Sequence, residues 1–522
     1  IIIIIFIILG ILAVCRGACY NMLVYILIVV VTILYFLYYL ISKNNTYWKD
    51  RNVAALEPEF FLGNMRESTF RRKPVGQLIA EIYAKFPNEK VVGVYRLTNP
   101  ALLIKDLDIV KHIMIKDFDN FIERGFEMNP KGLGGNLFSA QKDIWMILRN
   151  KFSPIFTSGK LKKMFYLMIE RGDLFIEYLK KCCAEQKEQD ALALVQKYTY
   201  TTISACAFGL DIDVEHDKME LVTMMNETLF KNSYFGELQM MFPSILTLMK
   251  FNVFPKMIED FFYGIVREIV KERKGVPTNR HDFMDMILEL KEQKEVVGSA
   301  RGGSSTLKLE INEDIMAAQA FLFYTAGFET SATTMGFMLY NLATHQDIQD
   351  KVLAEVDDVL ERHNGEVTYE NLKEMKYLTQ AFDETLRLYP IVEPLQRRAA
   401  ADYKLPGVDV TVKKGQVLLV SPAAIHRDPK YYPEPNKFDP DRFSVENAKD
   451  RHSCAYMPFG VGPRNCIGLR FAQVQSKVCM AKLLSNFRVE PSARTLIPME
   501  FDPEKPIIGP KGGVYLNFIP RK

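Results

Sequence analysis

The stretch P-F-G-V-G-P-R-N-C-I-G runs from Pro458 to Gly468. It sets three glycines and two prolines around one cysteine, with an arginine two residues before the thiol. Neither a helix nor a strand favours that composition, because glycine and proline both interrupt regular elements. Irregular backbone leaves N–H groups free, and a buried thiolate needs such donors, since bare charge away from water is costly. The plain alternative is a surface turn around an inert cysteine.

Working outward, the chain has 522 residues, 66 Lys+Arg against 63 Asp+Glu, and a formal charge of +3. So even a balance gives no general case for nucleic-acid binding. Lysine-rich patches such as Lys160–Lys163 read as solvated faces. The eight cysteines form no C-x-x-C pair and match no zinc or iron–sulfur spacing. For this length they are sparse, which places the body of the protein in a reducing compartment. At 48% hydrophobic residues the chain can bury a large core.

Leu23–Ile41 is an uncharged run of 19 residues. As a helix it would span about 28 Å, close to the hydrocarbon thickness of a bilayer. Tyr35, Tyr38 and Tyr39 fall near its end, where an interface favours them, and Lys43, Lys49 and Arg51 follow. The positive flank puts the bulk of the chain on the cytoplasmic side. A cleaved signal peptide is the competing reading, but the run is long and no small-residue cleavage site follows it. We therefore expect residues 22–42 to form an anchor, 43–64 a linker, and 65–522 one large catalytic domain. Residues 1–21 precede Met22 and read as an upstream extension outside the natural start.

Helical periodicity covers Met164–Lys180, Met257–Lys274, Phe283–Lys294, Ile311–Leu342 and Asp347–Glu361. β-type segments appear at Val91–Leu97, Ala101–Ile104, Val408–Val412 and Val417–Ser421, the last two expected to form a hairpin about Lys413-Lys414-Gly415. Gly298–Ser305 reads as an exposed loop, and Met240–Pro255 as core. The fold class expected is mainly α with small β-sheets (α+β), the sheets lying towards the two ends of the chain.

If the thiolate of Cys466 is an axial ligand to a haem iron, the rest of the loop acquires tasks. Gly460 and Gly462 shape the turn, Gly468 lets the next helix approach a flat macrocycle, Phe459 packs on the thiolate side, and Arg464 pairs with a propionate. Phe459, Gly462, Arg464, Cys466 and Gly468 fit F-x-x-G-x-R-x-C-x-G, which resembles the cysteine-ligand loop of the cytochrome P-450 (haem-thiolate monooxygenase) family. The resemblance runs from about Tyr47 to the C-terminus. It is especially similar to insect microsomal members of the detoxifying type, through "GNLFSAQKDIWMILRNKFSPIFTSGKLKKMF" and "AFLFYTAGFETSA".

That resemblance implies further site residues. Glu384 and Arg387 match an E-x-x-R helix, and Arg442 lies in P-x-x-F-x-P-x-R-F; the three resemble a buried structural triad. Trp145 and Arg149 match W-x-x-x-R and are expected to share a helix face that meets a haem propionate. Arg397 resembles another propionate-binding arginine, with Arg124 as a further one. Ala326-Gly327-Phe328-Glu329-Thr330-Ser331 resembles the distal acid–alcohol motif. It implies that Glu329 and Thr330 relay protons during oxygen activation and that Gly327 leaves room beside the iron. Against this stands the ordinary fate of a mid-helix threonine, a bond to the carbonyl four residues back.

The cofactors implied are haem b, ligated by the cysteine thiolate, and NADPH acting through a reductase. Implied partners are that NADPH-cytochrome reductase, cytochrome b5, O2, a small lipophilic substrate and the endoplasmic reticulum membrane, with no nucleic acid. The activity implied is insertion of one atom of O2 into lipophilic compounds, foreign ones such as plant toxins or insecticides above all. Two other classes compete: a haem-thiolate isomerase or dehydratase of peroxides, and a non-catalytic haem- or lipophile-binding protein. The acid–alcohol pair argues against both. The pocket walls are expected from Phe121–Phe138, Leu229–Pro255, Ala317–Thr325, Ile391–Leu395 and Ile507–Val514. One departure from microsomal members is the hinge after the anchor, which holds only Pro58.

Overall fold

A computed structural model describes residues 18–126, 128–213, 228–229, 254–292, 295–299 and 306–521. Eleven helices of eight residues or more lie among them: α1 (Ala18–Ser42), α2 (Val75–Lys85), α3 (Lys142–Phe152), α4 (Ser158–Glu185), α5 (Ala191–Ile203), α6 (Lys256–Glu272), α7 (Phe283–Glu292), α8 (Glu313–Thr344), α9 (Gln346–Arg362), α10 (Lys376–Leu388) and α11 (Leu469–Asn486). The five helical segments read from periodicity correspond to α4 and α6–α9. Most of the Met240–Pro255 stretch, and of the Leu229–Pro255 wall, lies outside the described residues.

α8 organises the body. Asn312 caps it, its Oδ1 accepting from the Ile315 N–H at 3.0 Å, and Glu313 and Asp314 suit the positive end of the dipole. Its 32 residues are buried on nearly every side, as expected of a helix apolar all round. α5 packs along it and α11 runs through the same core.

The main sheet has the order β1 (Val91–Arg96), β2 (Asn99–Ile104), β9 (Val417–Val420), β6 (Leu395–Arg398). β1 and β2 form an antiparallel hairpin, β2 runs parallel to β9 with Ala101 opposite Val417, and β6 is antiparallel to β9. A second sheet joins β10 (Phe487–Pro491), β11 (Tyr515–Pro520) and β3 (Glu188–Asp190). Two small pairs complete the set among the described residues: β4 (Glu295–Ser299) with β5 (Thr306–Glu310), and β7 (Tyr403–Lys404) with β8 (Thr411–Val412).

Two sequence expectations change here. The hairpin expected across Lys413–Gly415 does not form as a ladder. Gly415 makes the turn at φ +82°, but β8 pairs back with β7 while the apolar β9 enters the buried sheet beside β2. Burial on both faces rewards that non-local pairing over the local one. Gly298 and Ser299, expected in a loop, extend β4 opposite Leu307 and Thr306.

α1 begins a little before the expected anchor. Its Val24–Ser42 part has a mean hydropathy of 2.6 and none of it is buried in the protein. The segment 43–64 is stitched to the sheet rather than hanging free. Trp48 is 1% exposed, its backbone N–H donates to Tyr95 Oη (3.2 Å) and its indole N–H to Val94 O (3.3 Å). Gly93 makes this possible, because a Cβ there would sit 2.3 Å from the Trp48 ring. Tyr38 of α1 stacks on Phe60 at 5.8 Å.

Candidate active site

The cysteine loop is a tight turn that its glycines alone permit. Gly460 and Gly462 have φ of +69° and +78°, and a Cβ on Gly462 would lie 1.9 Å from Met114 O. The Cys466 N–H donates to Phe459 O at 2.8 Å, closing the turn. Phe459 is half-buried against the main core. Gly468 caps α11, and a Cβ there would stand 3.8 Å from the Phe156 ring and 4.0 Å from Cys466 Sγ. The thiol is deeply surrounded by protein, yet its surface is accessible. Burial pushes its pKa up; the Gly468 N–H and the charges of Arg149 and Arg124 pull the other way. These are the groups that favour a thiolate.

Four guanidinium groups cluster here: Arg149 and Arg124 act on the thiol, and Arg464 and Arg397 act on Arg124. Arg464 is 4% exposed, lies over the Trp145 ring at 4.6 Å, and donates to Phe138 O (3.2 Å) and Ala140 O (2.7 Å). Arg124 donates to Phe138 O (2.8 Å) and Arg464 O (3.4 Å) and sits over the Phe138 ring. Arg397 is 3% exposed and donates to Gln396 O at 2.8 Å. Arg149 clamps the residue before the cysteine, donating to Asn465 O (2.9 Å) and Asn465 Oδ1 (2.7 Å).

Burial and mutual repulsion make this cluster costly. Arg397 is pushed down to about 10 by burial, Arg464 down to about 9 by burial and then Arg397, and Arg124 well below its usual range by burial and then Arg464. Among the described residues none of the four forms an ion pair with a carboxylate. Glu123, which attracts Arg464, is itself paired with Arg398 at 2.6 Å. The Nε atoms of Arg397 and Arg464 are buried without a partner. A flat cofactor carrying two carboxylates fits these residues: the cations, the orphaned donors and a thiol backed by glycine.

Trp145 and Arg149 do lie on one helix, but their contacts diverge. Trp145 supports Arg464 and tilts against Phe118 at 5.6 Å, whereas Arg149 spends its fork on Asn465.

The triad assembles. Glu384 and Arg387 are fully buried on α10, with Arg387 Nε and Nη2 on the two carboxylate oxygens at 2.6 and 2.8 Å. Arg387 also donates to His426 O, Pro435 O and Lys437 O, tying α10 to the segment that carries Arg442. Arg442 Nε comes within 3.5 Å of Glu384 Oε1, an ion-pair contact without a hydrogen bond; its Nη2 donates to Glu434 O. Burial raises the Glu384 pKa, and Arg387 opposes that most strongly.

On α8, Ala326 is exposed although its helix is buried, and Thr330 is half-buried beside it. Thr330 Oγ1 donates to Ala326 O at 2.6 Å, the local bond expected of a mid-helix threonine. Glu329 points elsewhere. It is 3% exposed, accepts from Gln196 Nε2 of α5 at 2.8 Å, and pairs with Lys505 Nζ at 3.4 Å. Gly327 faces α5 too: a Cβ there would be 2.5 Å from Ile203 Cδ1, so the room it leaves is filled by that side chain. Gln196, Lys505 and Asn465 were not singled out by sequence.

The comparisons agree with this geometry. The family model "Cytochrome P450" matches residues 55–518. The chain is 50% identical to "Cytochrome P450 6B2" of Helicoverpa armigera over 486 residues, covering 93% of this chain and 96% of that protein. It is 48% identical to "Cytochrome P450 6B1" of Papilio polyxenes over 498 residues (95% and 100%), and 39% identical to "Cytochrome P450 6a8" of Drosophila melanogaster over 506 residues (94% and 97%). The chain belongs to the cytochrome P450 family, and is a haem-thiolate monooxygenase.

Proposed function

We propose that this monooxygenase oxidises small lipophilic foreign compounds at the endoplasmic reticulum membrane, with its catalytic domain on the cytoplasmic side. Electrons come from NADPH through a reductase, with cytochrome b5 as a second donor. α1 supplies the anchor. The likeness of the sequence to detoxification-type members supports the substrate class, as do the aromatic side chains of the expected pocket walls.

The observation that carries the reading is the cluster of four arginines about Cys466, two of them (Arg397 and Arg464) buried, with no carboxylate ion-paired to any of the four among the described residues. Cys466 would supply the thiolate ligand to a bound haem, and Arg124, Arg397 and Arg464 would hold its propionates. Arg149 holds the cysteine loop through Asn465, Trp145 supports Arg464, and Phe459 and Gly468 shape the thiolate side. Haem with a thiolate ligand supplies oxygen activation when bound. The protein's own part is to keep the sulfur charged, exclude bulk water and deliver protons. Thr330 holds a hydroxyl proton at Oγ1 beside the exposed Ala326, and Glu329 is the acid that recharges that side. Glu384, Arg387 and Arg442 keep α10 and the segment before the cysteine loop in register.

The test uses the full chain in membranes with a reductase, NADPH and a panel of lipophilic compounds under labelled O2. One labelled oxygen atom should enter product, dependent on NADPH. C466A should lose the strongly red-shifted Soret band of the reduced carbon-monoxide complex. Survival of that band removes Cys466 as ligand, and absence of NADPH-dependent product across the panel removes the substrate class.

A further inference from the structure

We propose that Lys505 and Gln196 are positioning residues for Glu329, and that the Lys505 contact sets how readily this acid supplies protons towards Thr330. The inference rests on the proton-delivery role given above to Glu329 and Thr330.

The geometry separates the acid from the alcohol. Successive side chains on a helix diverge by about 100°. Thr330 therefore faces the side of α8 that Ala326 exposes, while Glu329 faces α5. Both carboxylate oxygens are engaged on that side: Oε2 by Gln196 Nε2 at 2.8 Å and Oε1 by Lys505 Nζ at 3.4 Å. A carboxylate this deeply buried is held where its partners are, because leaving them would strand a charge. To serve Thr330 it must loosen one of these contacts, and the Lys505 contact is the longer. Lys505 is also the only one of the pair's two charged groups that reaches water: its side chain is 24% exposed against 3% for Glu329. The ammonium thus stands between solvent and the acid.

Lys505 belongs to a loop fixed at both ends of its turn. Asp502 N–H donates to Gly509 O at 2.9 Å, and Ile508 N–H to Ile391 O at 3.0 Å. The lysine stem crosses Gly509, where a Cβ would be 2.7 Å from its Cδ. The loop is thus held in place, and Lys505 with it.

The experiment compares wild type, K505M, K505R, E329Q and K505M/E329Q as haem-loaded full chains with reductase. NADPH oxidation is measured in H2O and D2O, with the share of electrons released as hydrogen peroxide; the thermal midpoint of each ferric protein is measured alongside. K505M should change the solvent isotope effect at least twofold and raise the peroxide share. K505R should restore both, and K505M should add nothing in the E329Q background. If K505M lowers the thermal midpoint but leaves isotope effect and peroxide share unchanged, the pair is structural only and the proposal fails. If E329Q itself leaves both unchanged, the proton route through Glu329 fails first, and this proposal with it.

Discussion

Glu393 gives the sharpest quantitative test of the structure, because its carboxyl is buried and, among the described residues, no salt bridge holds it. It is 8% exposed; Oε1 accepts from Ser421 Oγ at 3.0 Å and from the Ala423 N–H, while Oε2 is buried without a partner. Burial pushes its pKa from 4.5 up to about 8, opposed by those two bonds and by Arg427. The native state therefore keeps a proton that the unfolded chain loses above its ordinary carboxyl range. Stability from this group is complete below about pH 4.5 and falls as pH rises towards about 8. At about 1.4 kcal/mol per pH unit, the loss between pH 5 and pH 8 is on the order of 4 kcal/mol. E393Q keeps the shape and the acceptor but cannot ionise. Urea unfolding of wild type and E393Q at several pH values between 5 and 8 should show wild type losing stability relative to the variant as pH rises. Other titrating groups cancel in that difference. Parallel curves would refute the assignment of a buried, proton-holding carboxyl.

Three further outcomes follow from the site. R387A strands the fully buried Glu384 and frees the segment carrying Arg442, so it should cost about 3–5 kcal/mol; a wild-type unfolding midpoint would contradict the clamp. G462A must accommodate both positive φ and the clash with Met114 O, whereas G460A meets only Asn465 Cα at 3.7 Å. Both should lower haem content and thermal midpoint, G462A the more severely and by roughly 3 kcal/mol or more; the reverse order would show that the turn is drawn wrongly. T330A should release more hydrogen peroxide per NADPH and less product, and an unchanged ratio removes Thr330 from the proton route.

Much of the site was legible because its signals are local. The cysteine turn, the E-x-x-R pair and α8 each sit within one contiguous stretch, where glycine placement, helical spacing and a long apolar run can be read directly. The partners that give them meaning are not local. Gln196 and Lys505 lie 133 and 176 residues from Glu329, so no spacing connects them. α5 was missed altogether: "ALALVQKYTYTTI" is rich in β-branched and aromatic residues, and tertiary packing against α8 overrides that propensity. The packing of Gly327 was hidden for the same reason, since only the neighbouring helix reveals that Ile203 lies where its Cβ would be. β9 likewise exchanged a nearby partner for a distant one.

That exchange also sets a schedule. β2 ends at Ile104, and the strand that covers its free edge begins at Val417. At 5–20 residues per second the ribosome needs about 15–60 s to make the intervening chain. Throughout that interval β2 presents unpaired backbone on one side, the kind of edge that recruits other chains. Nascent molecules crowded on one polysome are each other's nearest hazard, so yield in a foreign host should depend on how fast the message is read and on which holdases meet the hairpin first.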